Sequence, residues 1–173
     1  TATRDLGIGH SIRSQTAHLF RISENQRFQS VGCGKTMLMR LIAGLIIPTE
    51  GEIQFYEKVL GKDISFPPSM GILIESPAFL GGMSGFENLK LLASIQGKIT
   101  DETVRKAIAR VGLDPKDKKK YRKYSLGMKQ RLGIAAAIME SPELVILDEP
   151  TNGLDPIGIE ELRELIKTFP EQG

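Results

Sequence analysis

The sequence predicts an α/β fold, a mostly parallel sheet with flanking helices and a helical insert, and three observations predict it. Residues 144–147 (Leu-Val-Ile-Leu) form an unbroken apolar run of the kind that is covered on both faces in a parallel sheet, and the run ends at once in Asp148-Glu149. A second apolar run, 70–74, ends in the same way at Glu75. Stretches with helical spacing of apolar residues separate and follow these runs, which is the alternation an α/β sheet requires.

Composition narrows the classes. With 173 residues the chain fits one domain with a real core. Its 23 basic and 21 acidic residues leave a net charge of +2, so no global field argues for a nucleic-acid partner. The single cysteine, Cys33, excludes an internal disulfide framework and fits a reducing, cytosolic setting. No apolar stretch approaches the roughly 20 residues that span a bilayer, and the opening residues show no signal-peptide apolar segment. A membrane role would therefore require another chain.

In chain order, residues 1–31 are polar, with scattered Arg4, Arg13, Arg21 and Arg27 and one short alternating piece at 17–22. His10 and His18 have no neighbours at ligand spacing and read as surface-loop residues. From Gly32 the character changes. Gly32-Cys33-Gly34-Lys35-Thr36 has the form of the second half of a phosphate loop. Small residues let backbone N–H groups wrap phosphates, Lys35 neutralises charge and the Thr36 hydroxyl suits Mg²⁺. Gln29 stands where the full pattern has Gly at a tight turn. A helix follows with Leu38, Leu41, Ile42 and Leu45 on one face, its positive end toward the same phosphates.

Pro48 and Gly51 mark a turn, after which residues 52–56 alternate as an edge or antiparallel strand does. Residues 85–96 read as a helix through Leu89, Leu92 and Ala93. Residues 101–111 read as another, with Thr100 as N-cap, acids in its first turn and Gly112 at its stop. The basic residues Lys116, Lys118, Lys119, Lys120, Arg122 and Lys123 read as a solvated face. From Ser125 a helix places Met128, Leu132, Ala135 or Ala136, and Met139 on one side before Pro142 stops it. After the strand at 144–147, Asn152-Gly153 turns the chain. Asp155 caps a last helix, with Pro156 in its first turn and Leu162, Leu165, Ile166 and Phe169 to one side. A carboxylate pair at the carboxyl end of a buried strand stands where open α/β sheets place ligands, and where it can hold Mg²⁺ or orient a water.

The run YSLGMKQRLGIAAAIMESPELVILDEPTNGLDP, residues 124–156, resembles the signature, Walker B and D-loop of an ABC-type ATPase, a P-loop NTPase. Its form SLGMKQR is similar to the branch of exporters that handle bacitracin and lantibiotic-type peptides. The resemblance covers residues 32–173 as a partial ABC ATPase domain, with a helical signature subdomain at about 83–142 and an unmatched segment 1–31, the fold being incomplete at both ends. It implies that the upstream segment reflects a disrupted reading frame.

The resemblance also implies roles. Gly32, Cys33, Gly34, Lys35, Thr36 and Met37 would contact the phosphates of ATP. Thr36, Asp148 and Glu75 would form the Mg²⁺ shell, and Glu149 would act as general base on the attacking water, with Glu75 beside it. Ser125, Leu126, Gly127 and Met128 would face ATP bound by a second ATPase copy, and Asp155 would cross the same interface. The partners implied are transmembrane permease subunits, with the chain cytoplasmic and peripheral on the inner face of the cell membrane. A soluble ABC-class ATPase without transport, or a non-binding fragment signalled by Gln29, remains as an alternative.

Overall fold

The computed structural model describes residues 20–22, 34–75, 77–97 and 99–169, so the readings of His10, His18, Gln29, Gly32 and Cys33 fall outside the described residues. The chain divides into two compact units, residues 1–67 and 68–173.

The first unit holds β1 (Phe20–Ile22), α1 (Gly34–Ile42), β2 (Ile53–Phe55) and β3 (Lys58–Val59). The strands form an antiparallel sheet in the order β1-β2-β3, with Ile22 opposite Ile53 and Gln54 opposite Val59. The alternation in β2 is realised, Ile53 and Phe55 being buried and Gln54 only half-buried between them. A two-residue turn at Tyr56-Glu57 joins β2 to β3, and Tyr56 takes the left-handed φ of 54° that so tight a reversal demands. The sequence reads residues 52–56 as an edge or antiparallel strand, and β2 is antiparallel to both neighbours, to β3 because a two-residue connection can only reverse a strand. One detail of α1 also differs. Leu45, expected on its inner face, is 56% exposed because the helix ends at Ile42 and Gly44 bends the chain at φ 73°. A Cβ on Gly44 would lie 2.8 Å from the Ser65 carbonyl oxygen, so the bend admits only glycine.

The second unit contains the parallel pair. β4 (Met70–Leu73) and β5 (Leu144–Leu147) run in register from Met70 opposite Leu144 to Leu73 opposite Leu147. Between them come α2 (Gly85–Gln96), α3 (Asp101–Arg110), a 3-10 turn at Tyr121–Lys123 and α4 (Leu126–Ile138). After β5 comes α5 (Pro156–Lys167). Each α-helix here starts at the cap its sequence specifies. Ser84 and Glu87 form a reciprocal capping box, Thr100 accepts from the Thr103 amide, Ser125 from Met128 and Asp155 from Gly158.

The helix α4 is the centre of the core. Its reading as a one-sided helix is too narrow, since Gln130, Leu132, Gly133, Ile134, Ala135, Ala137 and Ile138 are all buried. It touches β4, β5, α2 and α3, and a helix enclosed on nearly every side carries small or apolar residues all round. Its approach to β4 depends on missing side chains: a Cβ on Gly71 would lie 1.8 Å from the Ala137 carbonyl oxygen, and one on Gly133 would lie 2.9 Å from Leu73 Cδ1. Leu162 brings α5 into the same apolar cluster, and Arg131 ties α4 to the Val111 carbonyl at 3.0 Å and to Glu161 at 2.5 Å. Leu92, expected inward on α2, is 37% exposed. The packed stripe is held by Leu89 and Ala93, and Leu91 and Ile95 lie outside it with Leu92.

Candidate functional site

In the first unit, α1 begins at Gly34 with no acidic residue in its first turn, so nothing in the helix neutralises its positive end. Gly34, Lys35 and Met37 are exposed and Thr36 is half-buried. Among the described residues, a Cβ on Gly34 would meet no atom within 4 Å beyond its chain neighbours, which leaves room against this backbone. The first amides of a helix lack intrahelical partners, which makes this a place suited to an anion.

In the second unit, the carboxyl end of the parallel pair gathers the acidic residues. The Asp148 amide donates to the Leu73 carbonyl at 2.8 Å, which carries the ladder one step past the paired strands. Asp148 is buried, at 8% exposure, and Glu149 next to it is exposed. Because Leu73 stands opposite Leu147, Glu75 and Glu149 leave the same end of the sheet, each two residues beyond that pair. Both have left-handed backbones, with φ of 64° at Glu75 and 45° at Glu149. Such a conformation costs a non-glycine residue about 1–3 kcal/mol, and it persists where the surroundings enforce it. At Glu149 the enforcing element is the following turn: its carbonyl accepts from the Asn152 amide at 2.9 Å, and its carboxylate accepts from the Asn152 side-chain amide at 3.2 Å. Sequence reasoning read Asn152 only as a turn former, and the Asn-Gly pair was the signal available.

A second gathering lies at the start of α4. The Ser125 hydroxyl accepts from the Met128 amide at 3.2 Å and is exposed. Leu126 sits over Gly153, where a Cβ would approach its Cδ2 to 2.6 Å, and Leu154 lies 3.6 Å from the corresponding point on Gly127. The structure therefore brings residues 125–128 and 153–155 together. Asp155 itself is engaged locally, its Oδ1 accepting from the Gly158 amide at 2.8 Å as the cap of α5.

Two tyrosines stand at the end of the basic stretch, Tyr121 within it and Tyr124 just after it. Tyr121 and Tyr124 are both buried, and burial pushes both phenols above their ordinary range, so they stay protonated. The Tyr121 hydroxyl donates to the Pro77 carbonyl at 2.5 Å, and the Tyr124 hydroxyl accepts from the Gly85 amide at 3.2 Å. Their spacing, Tyr-x-x-Tyr ahead of Ser125, was the visible signal.

A family model for ABC transporters matches residues 29–152, which takes in the start of α1, the parallel pair and the turn that holds Glu149. The chain belongs to the ABC transporter family. Among its relatives it is 45% identical over 146 residues to the uncharacterized ABC transporter ATP-binding protein YybJ of Bacillus subtilis (strain 168), covering 84% of this chain and 67% of YybJ. It is 46% identical to the bacitracin transport ATP-binding protein BcrA of Enterococcus faecalis, over 82% of this chain and 46% of BcrA. With the lantibiotic transport ATP-binding protein SrtF of Streptococcus pyogenes it shares 42% identity, over 82% of this chain and 61% of SrtF. The chain thus spans from about half to two thirds of the length of these relatives.

Solved ABC structures share the fold. The ATP-binding cassette MJ0796, in a dimeric post-hydrolysis state bound to ADP and Pi, superposes with a TM-score of 0.69 over 80% of this chain and 66% of that one, at 22% identity. CbiO1 from Clostridium perfringens, part of the ABC transporter complex cbiONQ, gives 0.68 over 83% of this chain and 61% of that one, at 28% identity. The parallel pair and the helices around it are thus part of an ABC-type P-loop ATPase fold, and the family is one of ATP-binding subunits. Among the described residues, no helix is long and apolar enough to cross a membrane.

Proposed function

We propose that this chain binds and hydrolyses ATP as part of the motor subunit of an ABC exporter, one that moves antimicrobial peptides of the bacitracin or lantibiotic kind. The observation that carries the ATPase reading is the end of the β4–β5 pair, where a buried Asp148 stands beside two carboxylates, Glu75 and Glu149, on left-handed backbone. The identities of 46% and 42% to bacitracin and lantibiotic transport subunits support the export of such peptides.

The residues suit the ligand. Lys35 and the exposed start of α1 offer charge and amides to the phosphates, within the stretch Gly32, Cys33, Gly34, Lys35, Thr36 and Met37. No three His, Cys, Asp or Glu side chains converge as a metal cluster among the described residues. Mg²⁺ needs no such cluster, because one or two carboxylates or hydroxyls with phosphate and water complete its shell. Thr36, Asp148 and Glu75 are the residues that would hold it, and its chemistry there is to neutralise phosphate charge. Glu149 accepts the proton of the attacking water, with Asn152 orienting its carboxylate.

Ser125, Leu126, Gly127 and Met128 present the α4 start to the nucleotide of a second ATPase copy, with Asp155 alongside. Transmembrane permease subunits supply the membrane path, which places this chain on the cytoplasmic face of the cell membrane. The test is phosphate release by the full-length protein purified with its permease. The wild type is expected to hydrolyse ATP, and Lys35→Ala is expected to lose both MgATP affinity and turnover. Turnover unchanged in Lys35→Ala contradicts the reading.

A further inference from the structure

The loop that leaves β4 carries Glu75 and then Pro77 and Phe79, and one side chain holds it from the far side. Tyr121 is buried in the 3-10 turn just ahead of Ser125, and its hydroxyl donates to the Pro77 carbonyl at 2.5 Å. The Phe79 ring meets the Tyr121 ring edge-on at 5.3 Å between centroids, so the loop is gripped at two points. Tyr121 is in turn fixed to the α4 side. Its carbonyl accepts from the Tyr124 amide at 2.9 Å, the Tyr124 ring lies 5.7 Å away and the Lys129 ammonium lies 5.4 Å from the centre of its ring. Its own amide donates to the Met83 carbonyl at 2.8 Å, which anchors the turn ahead of α2. Pro77 packs closely over α4 at Gly133, where an added Cβ would lie 3.0 Å from Pro77 Cβ and Cγ.

We propose that Tyr121 is a positioning residue for ATP hydrolysis, locking the Glu75 loop to the start of α4 so that the carboxylate after β4 and the Ser125 cap hold one arrangement. The inference rests on the reading of Glu75 as part of the Mg²⁺ shell. A phenol held above its ordinary range suits the task, since it remains a donor at any working pH. The left-handed backbone at Glu75 is a strained conformation of the kind that persists where its surroundings hold it, so loosening the Pro77 anchor is expected to let the carboxylate withdraw.

The experiment is a Mg²⁺ titration of ATP hydrolysis by the full-length protein with its permease, in wild type, Tyr121→Phe, Glu75→Gln and the double variant. Tyr121→Phe removes one oxygen and keeps the ring. It is expected to raise the half-saturating Mg²⁺ concentration about three- to tenfold, the factor that one lost hydrogen bond represents. The KM for ATP at saturating Mg²⁺ stays within about twofold, and the melting temperature within a few degrees. In the Glu75→Gln background the same substitution is expected to add nothing, whereas a purely structural role would add its full effect. Tyr121→Leu, which loses ring and hydroxyl together, is expected to give at least as large a shift in Mg²⁺ requirement. An unchanged Mg²⁺ requirement in Tyr121→Phe, or full additivity with Glu75→Gln, overturns the inference alone. A Glu75→Gln variant with a wild-type Mg²⁺ requirement overturns it together with the reading of Glu75.

Discussion

The carboxyl end of the β4–β5 pair and the N-termini of the surrounding helices both carry oxygen-bearing polar side chains, yet the backbone treats them in opposite ways. Ser84, Thr100, Ser125 and Asp155 sit in ordinary extended conformations, with φ between −64° and −89°, and each side chain accepts from an amide three residues on. These residues lower the energy of the fold, by about 1 kcal/mol apiece. Glu75 and Glu149 stand in the left-handed region, where a side chain raises it. Tyr56 and Ser141 share the left-handed region, so the strain alone assigns no role; the proposed function gives one to the two carboxylates at the strand ends.

Substitutions can break this contrast. The largest effect is expected from Asp148→Asn, which keeps the shape of a buried side chain but removes its charge. Phosphate release by the full-length protein should fall by about 10²-fold or more while the melting temperature moves little. Turnover near wild type would move Asp148 into the class of structural residues.

At the caps the expectation reverses. Asp155→Ala and Ser84→Ala should each cost about 1 kcal/mol, read from denaturant unfolding. Neither alters the strained strand ends, so a loss of stability several times that size would mean that the caps do more than satisfy helix amides. Between these lies Glu75→Gly. Relief of the left-handed conformation is worth about 1–3 kcal/mol and offsets the roughly 0.5–1 kcal/mol that a new glycine costs in entropy. Stability should therefore hold or rise while the Mg²⁺ dependence of hydrolysis worsens. A clear fall in stability would show that Glu75 is held for packing and not for function.

The smallest effect sharpens the relaxed side of the comparison. The Glu87 carboxylate accepts from the Ser84 amide at 2.6 Å and lies 3.3 Å from the Lys120 ammonium, and that backbone hydrogen bond is the first cause holding it below the usual carboxylate range. A carboxyl depressed in the folded state contributes stability that is complete above its unfolded pKa and is lost as pH falls through the folded value. The difference in melting temperature between wild type and Glu87→Gln should accordingly shrink as pH drops from about 7 to about 3. A difference independent of pH would mean that the capping box works through its shape alone.

What the sequence revealed follows the same division. Caps and apolar runs are local chemistry, so Ser125, Thr100 and Asp155 announce their helices and residues 144–147 their strand from the sequence alone. The two-residue strand β3 carried no period to detect. The burial of Tyr121 and Tyr124 was not legible, because a run of lysines reads as solvated and only tertiary packing turns those two rings inward. For the same reason α4 looked one-sided: Ala137 and Gly133 are small, and their burial depends on how closely β4 and Pro77 approach. The left-handed backbones of Glu75 and Glu149 could not be read at all, since no glycine marks them and the strain is imposed from outside.

The most direct test of the central claim, that strained Glu149 is kept for its chemistry, is MgATP binding and hydrolysis by Glu149→Gln in the full-length protein. The amide keeps the shape and the bond to Asn152 but accepts no proton. ATP binding is expected to persist, turnover to fall by about 10²- to 10⁴-fold, and a nucleotide-bound dimer to accumulate on gel filtration. A variant that hydrolyses ATP at the wild-type rate and stays monomeric would contradict the account.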